Sequence, residues 1–515
     1  MGESISKFIK EKSKKEYIYA FAFAFILGLA IHAYKLLNYL PNHDSMYNFY
    51  ADQNILGSGR WLLSIACGFS SYFDLPWVTG LLSLVFIALT SVAVVKLFNI
   101  KNSFVILLSA GILVAFPSTT EILCFGFTAD GYFLSMLLAA LAAVALTYIQ
   151  KPVARILLSA ALLCCSCGIY QAYVSFFLVL AICYFIGKVL GSAWTVSDCL
   201  KYMLYTVVSL VIALAAYYAI WKVCLACQDV AAVSYQGIDR VGSLNIGVLV
   251  KAVKTMLTSL AILLVEKNIF KHGISLYAVI NCLFLAVGTA TLITAVVRGR
   301  VFRSVARIAM IVLALIAIPF AVFIWLYTSP DVLYALRMEH SAAIVFIGII
   351  VLCDKTFSPR TSTILSTLPI LMIFNLAVQA NIAYYYLNFE YERSYYEAHE
   401  ILNEIEDIAY RDPQHQSYKV AIIGSRRKEA ALDDTEATNT AFMYTQMIEK
   451  SLLLDGTHAR NFLENVLYCD LNFANAQEKA DIEASEEFRE MPTWPCKGSV
   501  RLIDDVITVR FGEEN

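Results

Sequence analysis

Five separated stretches of the chain place ionisable or hydrogen-bonding side chains between long apolar runs. Leu40–Trp61 (LPNHDSMYNFYADQNILGSGRW) holds Asn42, His43, Asp44, Asp52 and Arg60. FPSTTEILCFGFTADGYF holds Glu121 and Asp130, and GIYQAY supplies Tyr170 and Gln171. SYQGIDR supplies Asp239 and Arg240, and YALRMEHS supplies Arg337, Glu339 and His340. Ionisable groups at the edge of an apolar region cost free energy to desolvate, so such clusters are functional-site candidates by default. Acids set beside arginines suit one task well: holding an anionic lipid headgroup while activating a hydroxyl on a second substrate. A carboxylate within reach of that hydroxyl takes its proton as the carbon–oxygen bond forms. Arginine offers a fixed fork of donors to a phosphate and stays charged when partly desolvated. A cation of this kind also lowers the barrier by stabilising negative charge on a departing phosphate. No stretch carries a phosphate-cradling glycine loop or a nucleotide fold, which argues for a lipid-linked donor over a nucleotide sugar.

The same residues have plainer accounts. Asp130 also reads as a cap on a helix starting at Gly131. Arg60 and Arg337 read as interfacial anchors whose heads reach the lipid headgroups. Tyr170 and Gln171 sit at a tight turn where backbone groups need partners. Asp52 reads as facing solvent, and His43 and His340 as headgroup contacts, since no partner spacing supports a metal.

The elements that must position these groups follow from composition. In 515 residues, 59% hydrophobic and 16% charged, the chain is too apolar for an ordinary soluble protein and far too long for one transmembrane helix. The first apolar run, Tyr17 to about Leu40, is longer than a signal-peptide core and reads as a retained span. Lys7, Lys10, Lys12, Lys14 and Lys15 before it place the N-terminus in the cytoplasm. Trp61–Phe73 reads as a helix lying in the interface. Further spans are expected at about 76–97, 103–117, 131–149, 155–169, 171–190, 202–224, 275–297, 308–328, 340–353 and 362–385, giving about eleven crossings. The basic residues Lys96, Lys151, Lys188, Arg298, Arg303 and Lys355 then all fall in cytoplasmic loops. Residues 245–265 are interrupted by Lys251 and Lys254 and read as an amphipathic helix on the outer surface.

From about Asn388 charged residues become frequent and long apolar runs vanish. Glu392–Tyr410 has helical spacing, Tyr418–Ile423 and Leu502–Phe511 read as strands, and Thr438–Leu453 and His458–Leu467 as helices. The expectation is an all-α polytopic membrane protein, residues 1–387, followed by a small α/β extracytoplasmic domain, 388–515. The 13 cysteines mostly lie in apolar runs and read as packing residues. Cys469 and Cys496 would face an oxidising compartment if the C-terminal domain is outside, so a disulfide and two solitary thiols are both open. A net charge of -2 with no basic run beyond the N-terminal tail gives no reason to expect nucleic acid.

Four segments taken in order, NHDSMYNFYADQNILGSGRWLL, FTADGYFLSM, GIYQAY and MPTWPCKGSVRLIDDVITVRF, resemble the GtrII-type glucosyltransferases of bacteria. GSGRW with its upstream Asn-x-Asp is the most specific of them. The resemblance implies a GT-C membrane fold and inverting transfer of glucose from undecaprenyl-phosphate-glucose to a cell-surface glycan, an O-antigen or teichoic-acid-like polymer. The reaction would take place at the outer face of the bacterial cytoplasmic membrane. It also implies that the acid of the first outer loop, Asp44, is the base. The family often shows adjacent acids there, whereas this chain has His43 before Asp44.

On the two lines together, Asp44 and Asp130 are the expected catalytic residues. Arg60, Arg337 and Arg240 are expected to hold the donor phosphate, and Asn42, Asp52, Tyr170 and Gln171 to line the substrate. The expected partners are a polyprenyl-phosphate sugar, a glycan acceptor and membrane lipids. The sequence calls for no cofactor and leaves a divalent metal open. The competing class is a transporter or flippase of a lipid-linked sugar, which would carry its ionisable groups near the bilayer midplane. A sensor whose C-terminal domain binds a surface ligand is the third possibility.

Overall fold

The computed structural model describes residues 14–47, 53, 55–68, 70, 73–191, 194–233, 246–261, 276–328, 335–410, 418–426 and 451–512. Its contacts divide the chain into two units, one of residues 1–39 and 54–381, the other of residues 40–53 and 382–515.

The first unit is helical. In chain order it contains α1 (Lys15–Leu37), and later α3 (Leu63–Ala66), α4 (Pro76–Phe98), α5 (Ser103–Ala115), α6 (Pro117–Cys124) and α7 (Gly126–Tyr148). These are followed by α8 (Pro152–Ile169), α9 (Val174–Leu190), α10 (Val196–Gln228), α11 (Ile246–Ala261), α12 (Leu276–Arg298) and α13 (Val305–Val322). Then come α14 (Trp325–Thr328), α15 (Ala342–Thr356), α16 (Pro359–Leu365) and the 43-residue α17 (Thr367–Ala409), within which the division between units falls. Helix α2 (His43–Tyr47) belongs to the second unit.

Nine helices among the described residues are long and apolar enough to cross a membrane. A tenth crossing results when α5 and α6, bent by 43°, are taken as one. The bend falls at Phe116–Pro117, where the proline at the start of α6 has no N–H to continue the ladder of α5. The expected span at 340–353 forms α15, whose 15 residues reach about 22 Å. Residues 246–261 form a 16-residue helix, too short to count among the spans.

Two expectations need correction. The interfacial helix expected at 61–73 forms only the four-residue turn α3. Leu63, Ala66 and Cys67 are buried in protein, packed against Gly131 of α7. The span expected to begin at Gly131 begins at Gly126. Polar FTAD looked like loop, but it is enclosed by other helices and needs no water. Of the spans, α7 is the most enclosed, packed between α4 and α8 with α9 along it. Close approach relies on glycine where α1 meets α4: a Cβ on Gly28 would lie 2.5 Å from a Leu84 methyl.

The second unit has a four-stranded sheet in the order β2–β1–β4–β3, with β1 (Lys419–Ile423), β2 (Asn472–Phe473), β3 (Val500–Ile503) and β4 (Val506–Arg510). β1 is parallel to β2 and β4, and β3 pairs antiparallel with β4. The strand expected over 502–511 is thus a hairpin. Its two-residue turn is Asp504–Asp505, both at positive φ (44° and 62°), a geometry aspartate tolerates. Among the described residues the unit also has helices α18 (Gly456–Asn465), α19 (Ala476–Ala484) and α20 (Glu486–Glu490). Ile482, Phe488 and Met491 form a core with Ala421, Ile423 and Ile503. The helix expected at 438–453 lies outside the described residues up to 450, and 451–453 are not helical. Cys469 and Cys496 are free thiols.

Candidate active site

The bend that creates α6 turns one of its faces toward the segment before α15. Ser118 and Glu121 are three residues apart and so share that face. The Ser118 hydroxyl donates to the Leu336 carbonyl at 2.5 Å. Glu121 accepts from Arg337 twice, from the backbone N–H and, at 2.5 Å, from the guanidinium Nη1. Glu121 is fully enclosed, while the Arg337 side chain keeps 19% exposure. Its guanidinium also lies over the Phe125 ring, 4.6 Å from the centroid. A buried carboxylate would be costly alone. Paired and hydrogen-bonded to backbone, it fixes the arginine in place.

A second arginine flanks Tyr170, on whose hydroxyl the charge of Arg337 also acts. The Arg60 guanidinium stands 5.8 Å from the centre of the Tyr170 ring. That ring stacks on Tyr132 of α7, with centroids 4.1 Å apart and planes within 7°. Among the described residues, Arg337, Arg60 and Glu121 act on the Tyr170 hydroxyl by charge. Burial pushes the Tyr170 phenol well above its ordinary value, which outweighs both arginines, so the hydroxyl stays protonated and can donate. Two guanidinium groups and a phenol donor beside one neutralising carboxylate make a site suited to a phosphate or another oxyanion.

The loop carrying Arg60 is fastened by its carbonyls. Trp221 Nε1 donates to Leu56 O at 2.8 Å, the Val233 N–H to Gly57 O at 3.1 Å, and Gln171 Nε2 to Ser58 O at 2.9 Å. The Gln171 amide also donates to the Tyr217 hydroxyl at 3.0 Å. Gly59 takes φ 85°, a left-handed conformation that glycine enters freely, and the chain turns there into Arg60. Next in sequence, the Trp61 ring lies against Gly168, where a Cβ would come within 2.6 Å of it. GSGRW and GIYQ are therefore two halves of one packed unit.

The other expected residues are placed differently. Asp130 is fully buried in α7, and the helix starts four residues before it, so it is not the helix cap. Its Oδ1 accepts the Gly131 N–H at 2.9 Å, and Cys67 and Ser70 lie beside the carboxyl. Burial, and then that carboxylate, push the Cys67 thiol up. Asn42 and Asp44 belong to the second unit. Asn42 is buried, and its Oδ1 accepts from the Ser45 N–H (2.9 Å) and hydroxyl (3.1 Å), opening α2. Asp44 keeps 41% side-chain exposure, with His43 Nε2 at 3.4 Å, and Gln53 donates to its carbonyl. Helix α2 packs on α18. Asp52 and Arg240 lie outside the described residues, as does Asp239.

Tyr132 and the pair Lys35–Asp74 were not foreseen. The pair spans 3.8 Å with both side chains nearly inaccessible, and Asp74 abuts Gly126 at the start of α7, where any Cβ would collide with its carboxylate. A lysine near the end of the first apolar run, 39 residues before an aspartate that precedes the next, was the available signal. His340 is buried among Thr119, Tyr173 and the Leu113 carbonyl. Among the described residues no group of three His, Cys, Asp or Glu side chains is arranged to hold a metal ion.

Comparison with curated proteins and with solved structures gave no match. Residues 33–353, more than half of the chain and including both arginines, Glu121 and Tyr170, match the family model described as glucosyl transferase GtrII, and the chain belongs to that family.

Proposed function

We propose that this membrane glucosyltransferase takes glucose from undecaprenyl-phosphate-glucose and moves it, with inversion, to a cell-surface glycan at the outer face of the bacterial cytoplasmic membrane. The observation that supports a phosphate-bearing donor is the Arg60 guanidinium set by the Tyr170 ring, whose hydroxyl the charge of Arg337 also acts on, with Glu121 fixing Arg337. The acceptor hydroxyl attacks the anomeric carbon as the bond from that carbon to the phosphate oxygen breaks. The hydroxyl proton passes to a carboxylate, and the polyprenyl phosphate leaves with the electron pair. The arginines and the Tyr170 hydroxyl stabilise the charge that builds on the leaving phosphate.

Asp44 is the proposed base. Among the described residues it is the accessible acid of the first-loop segment, whereas Asp130 is enclosed and hydrogen-bonded to its own helix. In this reading Asp130 acts through the α3 turn beside it, as a positioning group. Gln171 likewise positions Arg60 through the Ser58 carbonyl.

The test is transfer from radiolabelled undecaprenyl-phosphate-glucose by purified protein in lipid nanodiscs. Arg337→Lys retains a charge but loses the fork, and is expected to lower kcat more than it raises donor KM. Labelled product formed at the wild-type rate by both Arg60→Gln and Arg337→Lys would remove the phosphate assignment.

A further inference from the structure

Away from this site, α12 and α13 follow one another across the short turn 299–304 yet barely touch. α12 packs on α15, and α13 on α9. The fissure left between them, about 250 Å³, is walled by Leu285, Leu292, Leu315 and Ile318 and floored by α9 and α15. Two floor glycines have no packing reason to be glycine. A Cβ on Gly187 would meet no atom within 4 Å, and one on Gly348 only Cys183, at 3.7 Å. Gly288 in the fissure wall is different, pressed by its neighbour: a Cβ there would come within 2.8 Å of Ile349. Glycine inside a helix is less favourable than alanine, so an unpressed one on the floor points to an occupant.

One end of the fissure is basic. Lys355 lines it and donates to the Phe98 carbonyl at 3.1 Å. Lys188 is close enough to act on Lys355 electrostatically, and its ammonium lies 5.1 Å from the Tyr184 ring and 5.9 Å from the Trp194 ring. Arg298 donates to the Thr356 carbonyl, one residue past Lys355. Of the carboxylates, Asp354 acts on this group, and it already accepts from Asn102 at 2.8 Å. Lys355 is in the last turn of α15, whose first turn follows Arg337, so this end of the bundle is opposite the arginine site.

We propose that the fissure binds an anionic phospholipid. One acyl chain lies between α12 and α13 over Gly187, and the headgroup phosphate is held by Lys355 and Lys188. Like charges gathered beside an apolar slot repel one another until an anion joins them, and a phospholipid supplies both the anion and the chain.

The experiment is native mass spectrometry of the full-length protein in detergent, titrated with phosphatidylglycerol or with phosphatidylcholine of the same chains. Wild type is expected to retain one phosphatidylglycerol at concentrations where phosphatidylcholine is lost. Lys355→Gln, at a solvent-exposed position, weakens retention about fivefold, and the double change with Lys188→Gln removes the preference between headgroups. Gly187→Leu fills the floor without a clash and reduces binding of both lipids, with thermal stability as the check on folding. Equal retention of the two lipids by wild type overturns the proposal, as does unchanged retention in the lysine double variant or in Gly187→Leu. Displacement of phosphatidylglycerol by undecaprenyl phosphate in equimolar competition overturns it too, by making the fissure a donor-tail site.

Discussion

Glu121 and Arg337 are 216 positions apart in the chain, and Glu121 receives both the backbone N–H and the guanidinium of its partner. The carboxylate is thereby used up, and what faces the rest of the site is an arginine whose position is set by α6. Glu121→Gln leaves the guanidinium without its counter-charge. It is expected to destabilise the protein by about 3 kcal/mol and to abolish transfer. Pairing it with Arg337→Gln recovers much of the thermal stability but none of the activity. Recovery of both in the double variant would show that the pair is scaffold only.

The stacked rings of Tyr170 and Tyr132 separate shape from chemistry. Tyr132→Phe keeps the stack and is expected to retain activity to within about threefold, as a stacked pair contributes about 1 kcal/mol through its rings. Tyr170→Phe keeps the stack and removes the donor, and should lower kcat with little change in thermal stability. Equal loss in both variants would mean that the Tyr170 hydroxyl has no separate role.

Gly168→Ala puts a methyl where the Trp61 ring lies. The expected cost is about 2 kcal/mol of stability, with a loss of transfer because Arg60 is the residue beside Trp61. Trp61→Phe in the same chain should restore part of both, measured by thermal unfolding and the transfer assay.

Asp44→Asn is expected to abolish transfer while the protein keeps its elution profile and melting temperature, since the exposed carboxylate contributes little to packing. Retention of most of the activity would remove Asp44 as the base.

Asp455 gives a pH dependence. Burial alone raises its carboxyl, but hydrogen bonds from the His458 ring and the His458 and Thr457 N–H groups outweigh burial, leaving it below its ordinary value. A depressed acid stabilises the fold fully above its unfolded value and loses that contribution as pH falls through the folded one. The C-terminal unit is therefore expected to weaken as pH drops below about 4, and Asp455→Asn to flatten that part of the profile in thermal unfolding from pH 3 to 7.

The helical membrane body and the change of composition before the C-terminal unit were legible because both depend on long runs, where apolar length alone decides. Arg60, Arg337 and Tyr170 were legible as polar groups stranded between such runs. Their pairings were not: nothing local says that Glu121 belongs to Arg337 or that Tyr132 stacks on Tyr170, since each pairing is made by packing between helices distant in sequence. Gln171 shows the same gap from the other side. Its type suggested a ligand contact, but its amide reaches the Ser58 carbonyl and Tyr217. The Asp504–Asp505 turn was missed because the apolar residues on either side, Leu502, Ile503, Val506 and Ile507, read as one strand, although two adjacent aspartates interrupt them.

Leu56, Gly57 and Ser58 are gripped by their main-chain oxygens, a hold that a change of side chain does not itself remove. There is little room for such changes, because Ser58 is buried with its hydroxyl donating to the Ile55 carbonyl, and a Cβ on Gly57 would lie 2.5 Å from a Val233 methyl. An ester in place of the amide that carries one of these carbonyls would loosen the aim of Arg60 without changing any side chain.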